Sequence, residues 1–129
     1  SFLLDQNDYK STEKLFEKID EFNISVTILD FAIYSVCVIL SRRQENIYMD
    51  KFFQYLKKRK NFHIHRFNFE ELSEINNLKI SLDFDDKLHY WLAKKHNLNL
   101  ISYDKHFDQT DLKRLTPKQA LGKLAYLSR

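Results

Sequence analysis

The chain has 129 residues and a net charge of +3, with 43% apolar and 15% aromatic residues. That is enough for one core-forming domain and too apolar for disorder. One glycine and one proline exclude a turn-rich β-sandwich, a P-loop and a glycine-rich dinucleotide fingerprint. One cysteine, Cys37, excludes an internal disulfide and a CxxC zinc site; its apolar neighbours predict a buried, inert thiol in a reducing compartment.

In chain order, residues 2–5 predict a short buried strand. Thr12 to Phe22 predicts a helix, because Leu15, Phe16, Ile19 and Phe22 recur at helical spacing. Ile24 to Val26 predicts a strand, and Thr27 an N-cap opening a buried helix to about Leu40. That stretch contains Asp30, Ser25, Thr27 and Ser35, which favours a core helix over a membrane span. Tyr48 to Lys58 is amphipathic, with Phe52, Phe53, Tyr55 and Leu56. Phe62 to Phe67 alternates like a strand. Glu70 to Leu78 is helical, with Leu72 and Ile75 inward, and so is Asp86 to His96, with Leu88, Trp91 and Leu92 on one face. Leu98 to Ser102 and Leu112 to Leu115 predict strands, and Pro117 opens a last helix over Lys118 to Leu127. No linker or repeat interrupts the chain, so residues 1–129 are expected to form a single domain. No secretory leader opens it, so a cytoplasmic location is expected.

Strands alternating with helices predict an α/β fold, a three-layer αβα sandwich around a central twisted parallel sheet. In such sheets ligands bind beyond the carboxyl ends of the strands. Asp5 and Asp104 follow predicted strands, and Asp30 and Asp86 fall in the first turns of predicted helices. All four can face one cleft. Converging carboxylates repel unless a cation sits among them, which points to a divalent-metal site.

Each acid also has a local reading. Asp5 can turn the chain after a strand. Asp30 can complete a capping box with Thr27. Asp83, Asp85 and Asp86 can simply favour a helix N-terminus, and Asp104 can open a turn toward Lys105. The joint placement is harder to obtain by chance than any single member. The histidines carry less. His63 and His65 share a strand face without a nearby acid or cysteine. His89 lies one turn after Asp86, within reach of the cleft. His96 and His106 read as surface residues. The run Lys57-Lys58-Arg59-Lys60 is either a solvated helix end or a contact for a phosphate backbone.

These residues resemble the PIN domains, metal-dependent nucleases that include the VapC-type toxins. Phe2-Leu3-Leu4-Asp5-Gln6-Asn7 is similar to the family's opening strand and D-x-N motif, and Asp30 falls where a second acid starts a helix. Leu82-Asp83-Phe84-Asp85-Asp86 through Ala93 is similar to the third motif. Leu100 to Phe107, with Ser102, Asp104 and Phe107, resembles the fourth, usually Thr-x-Asp-x-x-Phe. Leu115-Thr116-Pro117 resembles the closing strand and helix.

The resemblance implies Mg²⁺ or Mn²⁺ held by Asp5, Asp30, Asp86 and Asp104, and hydrolysis of RNA phosphodiester bonds. Asn7 and Ser102 would be polar supports, and Asp85 or Asp83 an additional or outer ligand. It further implies RNA as substrate, an antitoxin if the chain is a toxin, and a homodimer; no membrane is implied. The chain departs from the family pattern at Asp30, where Glu is usual, at Gln6 and Ser102, where Thr is common, and at Lys87, where a small residue is usual. The competing reading is a catalytically inactive PIN-like module that binds RNA or a protein partner. A phosphatase of the DxDx(T/V) class is disfavoured because that signature is absent.

Overall fold

The computed structural model describes residues 2–5 and 13–127. Its strands are β1 (Phe2–Asp5), β2 (Val26–Leu29), β3 (Phe62–His65) and β4 (Asn99–Ser102). Its helices are α1 (Glu13–Phe22), α2 (Asp30–Arg42), α3 (Asn46–Lys57), α4 (Phe69–Asn76), α5 (Phe84–His96) and α6 (Pro117–Leu127). A 3₁₀ turn covers Lys105–Gln109.

The strands form one parallel sheet in the order β3-β2-β1-β4. The chain walks outward from β1 to β3, then crosses back to place β4 on the other side of β1. That reversal puts a topological switch point between β1 and β4, where such sheets open a crevice at their carboxyl ends. Leu4 pairs with Ile28 and Asp5 with Ser102. Asp5, Asp30 and Asp104 therefore sit at or just past the carboxyl ends of three adjacent strands, about 4.8 Å apart from one to the next.

Alternation along the strands feeds two cores. Phe2, Leu4, Val26, Ile28 and Ile101 pack with Leu15 and Ile19 of α1, Ile33 of α2, and Ala120 and Leu124 of α6. Leu3, Leu29 and Leu100 face the other way, onto Ile75 of α4 and Leu88, Trp91, Leu92 and Ala93 of α5, with Phe107. Both faces of the sheet are thus covered, giving the expected three layers. Each fully buried Leu or Ile contributes roughly 1.5–3 kcal/mol.

With one glycine in the chain, helix ends use other residues in the left-handed region. Asn23 (φ 52°), Gln44 (φ 56°) and Asn97 (φ 52°) do so after α1, α2 and α5. Asparagine tolerates this conformation better than most side chains. The Asn68 side chain accepts from Glu71 N at 2.8 Å while Glu71 accepts from Asn68 N at 2.9 Å, a capping box that fixes the start of α4.

Several sequence expectations shift. Thr27 is not an N-cap: it lies in β2, which runs to Leu29, and α2 starts at Asp30 without a side-chain cap. The β-branched pair Thr27-Ile28 prolongs the strand instead. The capping box between Thr27 and Asp30 is therefore absent. Helix α2 is also less buried than its composition suggests. Only Ile33 is fully buried, while Phe31, Tyr34, Val38 and Ile39 are exposed. Cys37 is half-buried. The strand expected at Leu112–Leu115 reduces to one bridge, Leu115 to Ile101. No helix among the described residues is long and apolar enough to cross a membrane.

Candidate metal centre

The acids gather around the start of α5 and the loop after β4. Asp86 lies in the first turn of α5 and is 7% exposed. The N-terminal helix dipole favours a carboxylate there. Ser102 ends β4, buried, and its Oγ accepts from Asp104 N at 2.9 Å. Asp104 Oδ1 in turn accepts from His106 N at 2.9 Å, which starts the 3₁₀ turn. Phe107, fully buried, anchors that turn in the core.

This turn brings His106 back over the acids. Its Nδ1 is 3.1 Å from Asp104 Oδ1 and 3.8 Å from Asp86 Oδ2. Asp86, Asp104 and His106 offer ligand atoms all within 4.8 Å of one another, and so do Asp83, Asp85 and Asp86. Asp86 belongs to both groups and joins them.

Arg114 braces the same loop from behind. Its Nε and Nη2 each donate to Asp108 at 3.0 Å, and Nη1 donates to the Ser102 carbonyl at 3.2 Å. Leu115 closes the loop at its base, donating to Leu100 O at 2.8 Å and accepting from Ser102 N at 2.9 Å.

The sequence candidates divide as follows. Asp83, Asp85, Asp86 and Asp104 come together, with Ser102 beneath Asp104. Asp30 stands at the adjacent strand end; its Oδ1 accepts from Phe31 N at 2.7 Å, and it joins neither group of close acids among the described residues. Asp5 ends β1 beside Ser102, with its side chain outside the described part, and Asn7 lies outside the described residues. Lys87 neither intrudes nor floats free: its ammonium donates to the Leu78 carbonyl at 3.2 Å. His89 is buried in α5, its Nδ1 3.1 Å from the Asp85 carbonyl. His65 has an acid beside it after all, with Glu71 Oε2 3.3 Å from its Nε2, and His63 is exposed.

His106 is the residue that sequence reasoning missed. It read as surface, and at 66% side-chain exposure it is, yet its ring faces two carboxylates. The available signal was its spacing, two residues after an aspartate that follows a strand.

The basic run is displaced from the acids. Lys57-Lys58-Arg59-Lys60 joins α3 to the amino end of β3. All strands are parallel, so this run lies at the opposite edge of the sheet from the acids. Four-residue strands put the two edges on the order of 10 Å apart. Arg59 is also committed elsewhere. Its Nη2 and Nε hold Asp20 at 2.8 and 3.0 Å, and its guanidinium lies 3.5 Å over the Tyr55 ring. Hydrogen bonding to Asp20 raises its pKa further above its ordinary value. A surface hollow of about 600 Å³ beside it is lined by Lys51, Tyr55, Lys58 and Arg59, among others, and by none of the clustered acids.

The donor set around Asp86 suits a hard divalent ion. It is mainly carboxylate oxygen, and a cation among several close carboxylates offsets their mutual repulsion.

The family model described as PIN domain matches residues 1–113. Among solved structures, the crystal structure of PAE2754 from Pyrobaculum aerophilum is similar, with a TM-score of 0.72. It is 18% identical in sequence, over 98% of this chain and 90% of that one; at that identity the likeness shows the fold. No curated protein matches the sequence.

Proposed function

Because this chain belongs to the PIN domain family, a family of metal-dependent nucleases, we propose that it hydrolyses RNA phosphodiester bonds as an Mg²⁺- or Mn²⁺-dependent endoribonuclease. The observation that carries this is the meeting of Asp86 and Asp104 within 4.8 Å at the switch point of the sheet. Asp86 and Asp104 would hold the ion, with Asp5 and Asp30 at the neighbouring strand ends and Asp83 and Asp85 alongside as outer or additional ligands. Asn7 and Ser102 are assigned as polar supports, Ser102 by holding Asp104. A divalent ion so held supplies Lewis acidity to a phosphoryl oxygen and eases the ionisation of water. Exposed aromatics flank the acids: Tyr103 directly precedes Asp104, and Phe84 lies between Asp83 and Asp85. Such rings stack unpaired bases, which supports single-stranded RNA as substrate.

We assign residues 1–129 to one domain acting in the cytoplasm. In the toxin version of this role, a small antitoxin encoded beside this chain binds it and blocks the cleft. A second copy of the chain is the occupant we assign to the open side of α2. Phe31, Tyr34, Val38 and Ile39 of that helix are all exposed. Together they offer roughly a few hundred Å² of apolar surface, enough for the centre of an interface. No charged side chain falls between Phe31 and Ser41, so two copies can meet across a two-fold axis without like-charge repulsion. Light scattering gives twice the chain mass if this holds. A monomer that binds only an added antitoxin contradicts it.

The second reading, a catalytically inactive module binding RNA or protein, is favoured by one observation: Asp30 spends an oxygen on its own helix. Incubating labelled single-stranded RNA with Mn²⁺, Mg²⁺ or EDTA separates the two. The nuclease cuts only with metal; the inactive module binds the RNA and leaves it whole.

A further inference from the structure

We infer that His106 is a nitrogen ligand of the divalent ion, so that the site takes a mixed oxygen and nitrogen donor set and prefers Mn²⁺, or a neighbouring first-row ion, to Mg²⁺. The inference rests on the reading of Asp86 and Asp104 as metal-binding acids.

The geometry supports it. Two donors at right angles on an ion about 2.1 Å from each lie about 3 Å apart, and in a looser shell somewhat more. His106 Nδ1 is 3.1 Å from Asp104 Oδ1 and 3.8 Å from Asp86 Oδ2. One ion can therefore touch all three atoms with small side-chain adjustments. A simple surface ion pair needs one carboxylate. Here one ring nitrogen faces two, from separate elements, the start of α5 and the loop after β4.

The sequence builds this approach locally. Asp104 Oδ1 takes the His106 N–H, and buried Phe107 fixes the next residue. The ring is thus returned over the acids on a short tether, and the Arg114 brace holds the tether's far side through Asp108.

The chemical consequence concerns ion choice. Mg²⁺ favours shells made of oxygen and retains its waters. A neutral imidazole adds little for Mg²⁺ and more for transition ions, whose affinity for nitrogen donors rises from Mn²⁺ onward. The second acidic group, Asp83, Asp85 and Asp86, has no such nitrogen among its members.

The test uses Mn²⁺ and Mg²⁺ as probes, without RNA, on the intact chain. Calorimetry gives Mn²⁺ and Mg²⁺ affinities, and pulsed electron paramagnetic resonance reads imidazole nitrogen coupling to bound Mn²⁺. Wild type is compared with His106→Gln, Asp86→Asn and Asp104→Asn, with circular dichroism confirming the fold of each. The inference predicts nitrogen coupling in wild type that vanishes in His106→Gln, with Mn²⁺ affinity falling ~10-fold or more and Mg²⁺ affinity nearly unchanged. Mn²⁺ bound without nitrogen coupling, or with coupling that survives His106→Gln, overturns the role of His106 and leaves the acidic site standing. Mn²⁺ binding that is absent in wild type, or that is as tight in Asp86→Asn and Asp104→Asn as in wild type, overturns the acidic site itself.

Discussion

Arg114 offers a worked test of how the loop bearing Asp104 is held. Its guanidinium touches both the end of β4, at the Ser102 carbonyl, and the 3₁₀ turn, at Asp108. Replacing it in Arg114→Met keeps most of the apolar stem and removes three hydrogen bonds. The Arg114 side chain is 12% exposed and that of Asp108 55%. The half-exposed fork to Asp108 is therefore worth up to ~1 kcal/mol after solvent screening. The charge-assisted bond to the Ser102 carbonyl is sheltered and worth ~1.5–3 kcal/mol. The expected loss is roughly 1.5–4 kcal/mol. Urea denaturation should show it as a lower midpoint at unchanged slope. Asp108→Asn should cost only the smaller share, about 1 kcal/mol or less. A loss below about 0.5 kcal/mol for Arg114→Met would refute the claim that this residue closes the loop, since surface substitutions do that much.

Three further outcomes follow from named contacts. Tyr103, 52% exposed, should act as a stacking platform: Tyr103→Ala is expected to raise KM for single-stranded RNA ~5- to 150-fold, matching ~1–3 kcal/mol per stacked base, and an unchanged KM removes it from that role. Joint substitution of Lys57, Lys58 and Lys60 by Gln should leave the cleavage rate within about 3-fold at moderate salt, because these residues lie at the far edge of the sheet, about one Debye length (roughly 8–10 Å) from the acids; a collapse in rate would put RNA across that edge. Tyr90 donates to Asp111 at 2.6 Å, and that bond, then burial, pushes its pKa up to about 12. Its neutral form is the one favoured by folding, so its contribution is full below the ordinary tyrosine value of about 10 and is lost as pH rises through about 12. Ultraviolet titration should show a late phenolate that disappears in Tyr90→Phe and moves toward about 10 in Asp111→Asn.

The layered fold was legible because both faces of the sheet are buried. Phe2-Leu3-Leu4, Val26 to Leu29 and Leu100-Ile101 supply side chains to both cores, and such strands appear as continuous apolar runs. Helix α5 was legible from Leu88, Trp91 and Leu92 on one face. The start of α2 was not. Thr27 suits a cap and a strand equally well from sequence, and only pairing with β1 and β3, with Thr27 between Leu3 and His63, decides it. Nor was the exposure of α2, since an apolar helix shows its composition but not whether a neighbour covers it.

Within the site, Asp86 and Asp104 were legible as acids at structural boundaries. The inclusion of His106 was not, because it depends on an Asp104 turn that spacing alone does not specify. The position of the basic run was not legible for a related reason. Charge is local in sequence, but the edge of the sheet it lands on follows from strand direction, and Arg59 is claimed by Asp20 from α1.

The central claim is that Asp86 and Asp104 together hold the ion that cuts RNA. The most direct measurement is metal-dependent cleavage of labelled single-stranded RNA by wild type, Asp86→Asn and Asp104→Asn, purified in parallel and confirmed folded. The account predicts cleavage that needs Mn²⁺ or Mg²⁺, stops with EDTA and falls at least ~100-fold in each variant. Equal cleavage by all three proteins, or RNA bound by wild type yet left intact over a broad substrate set, would contradict it.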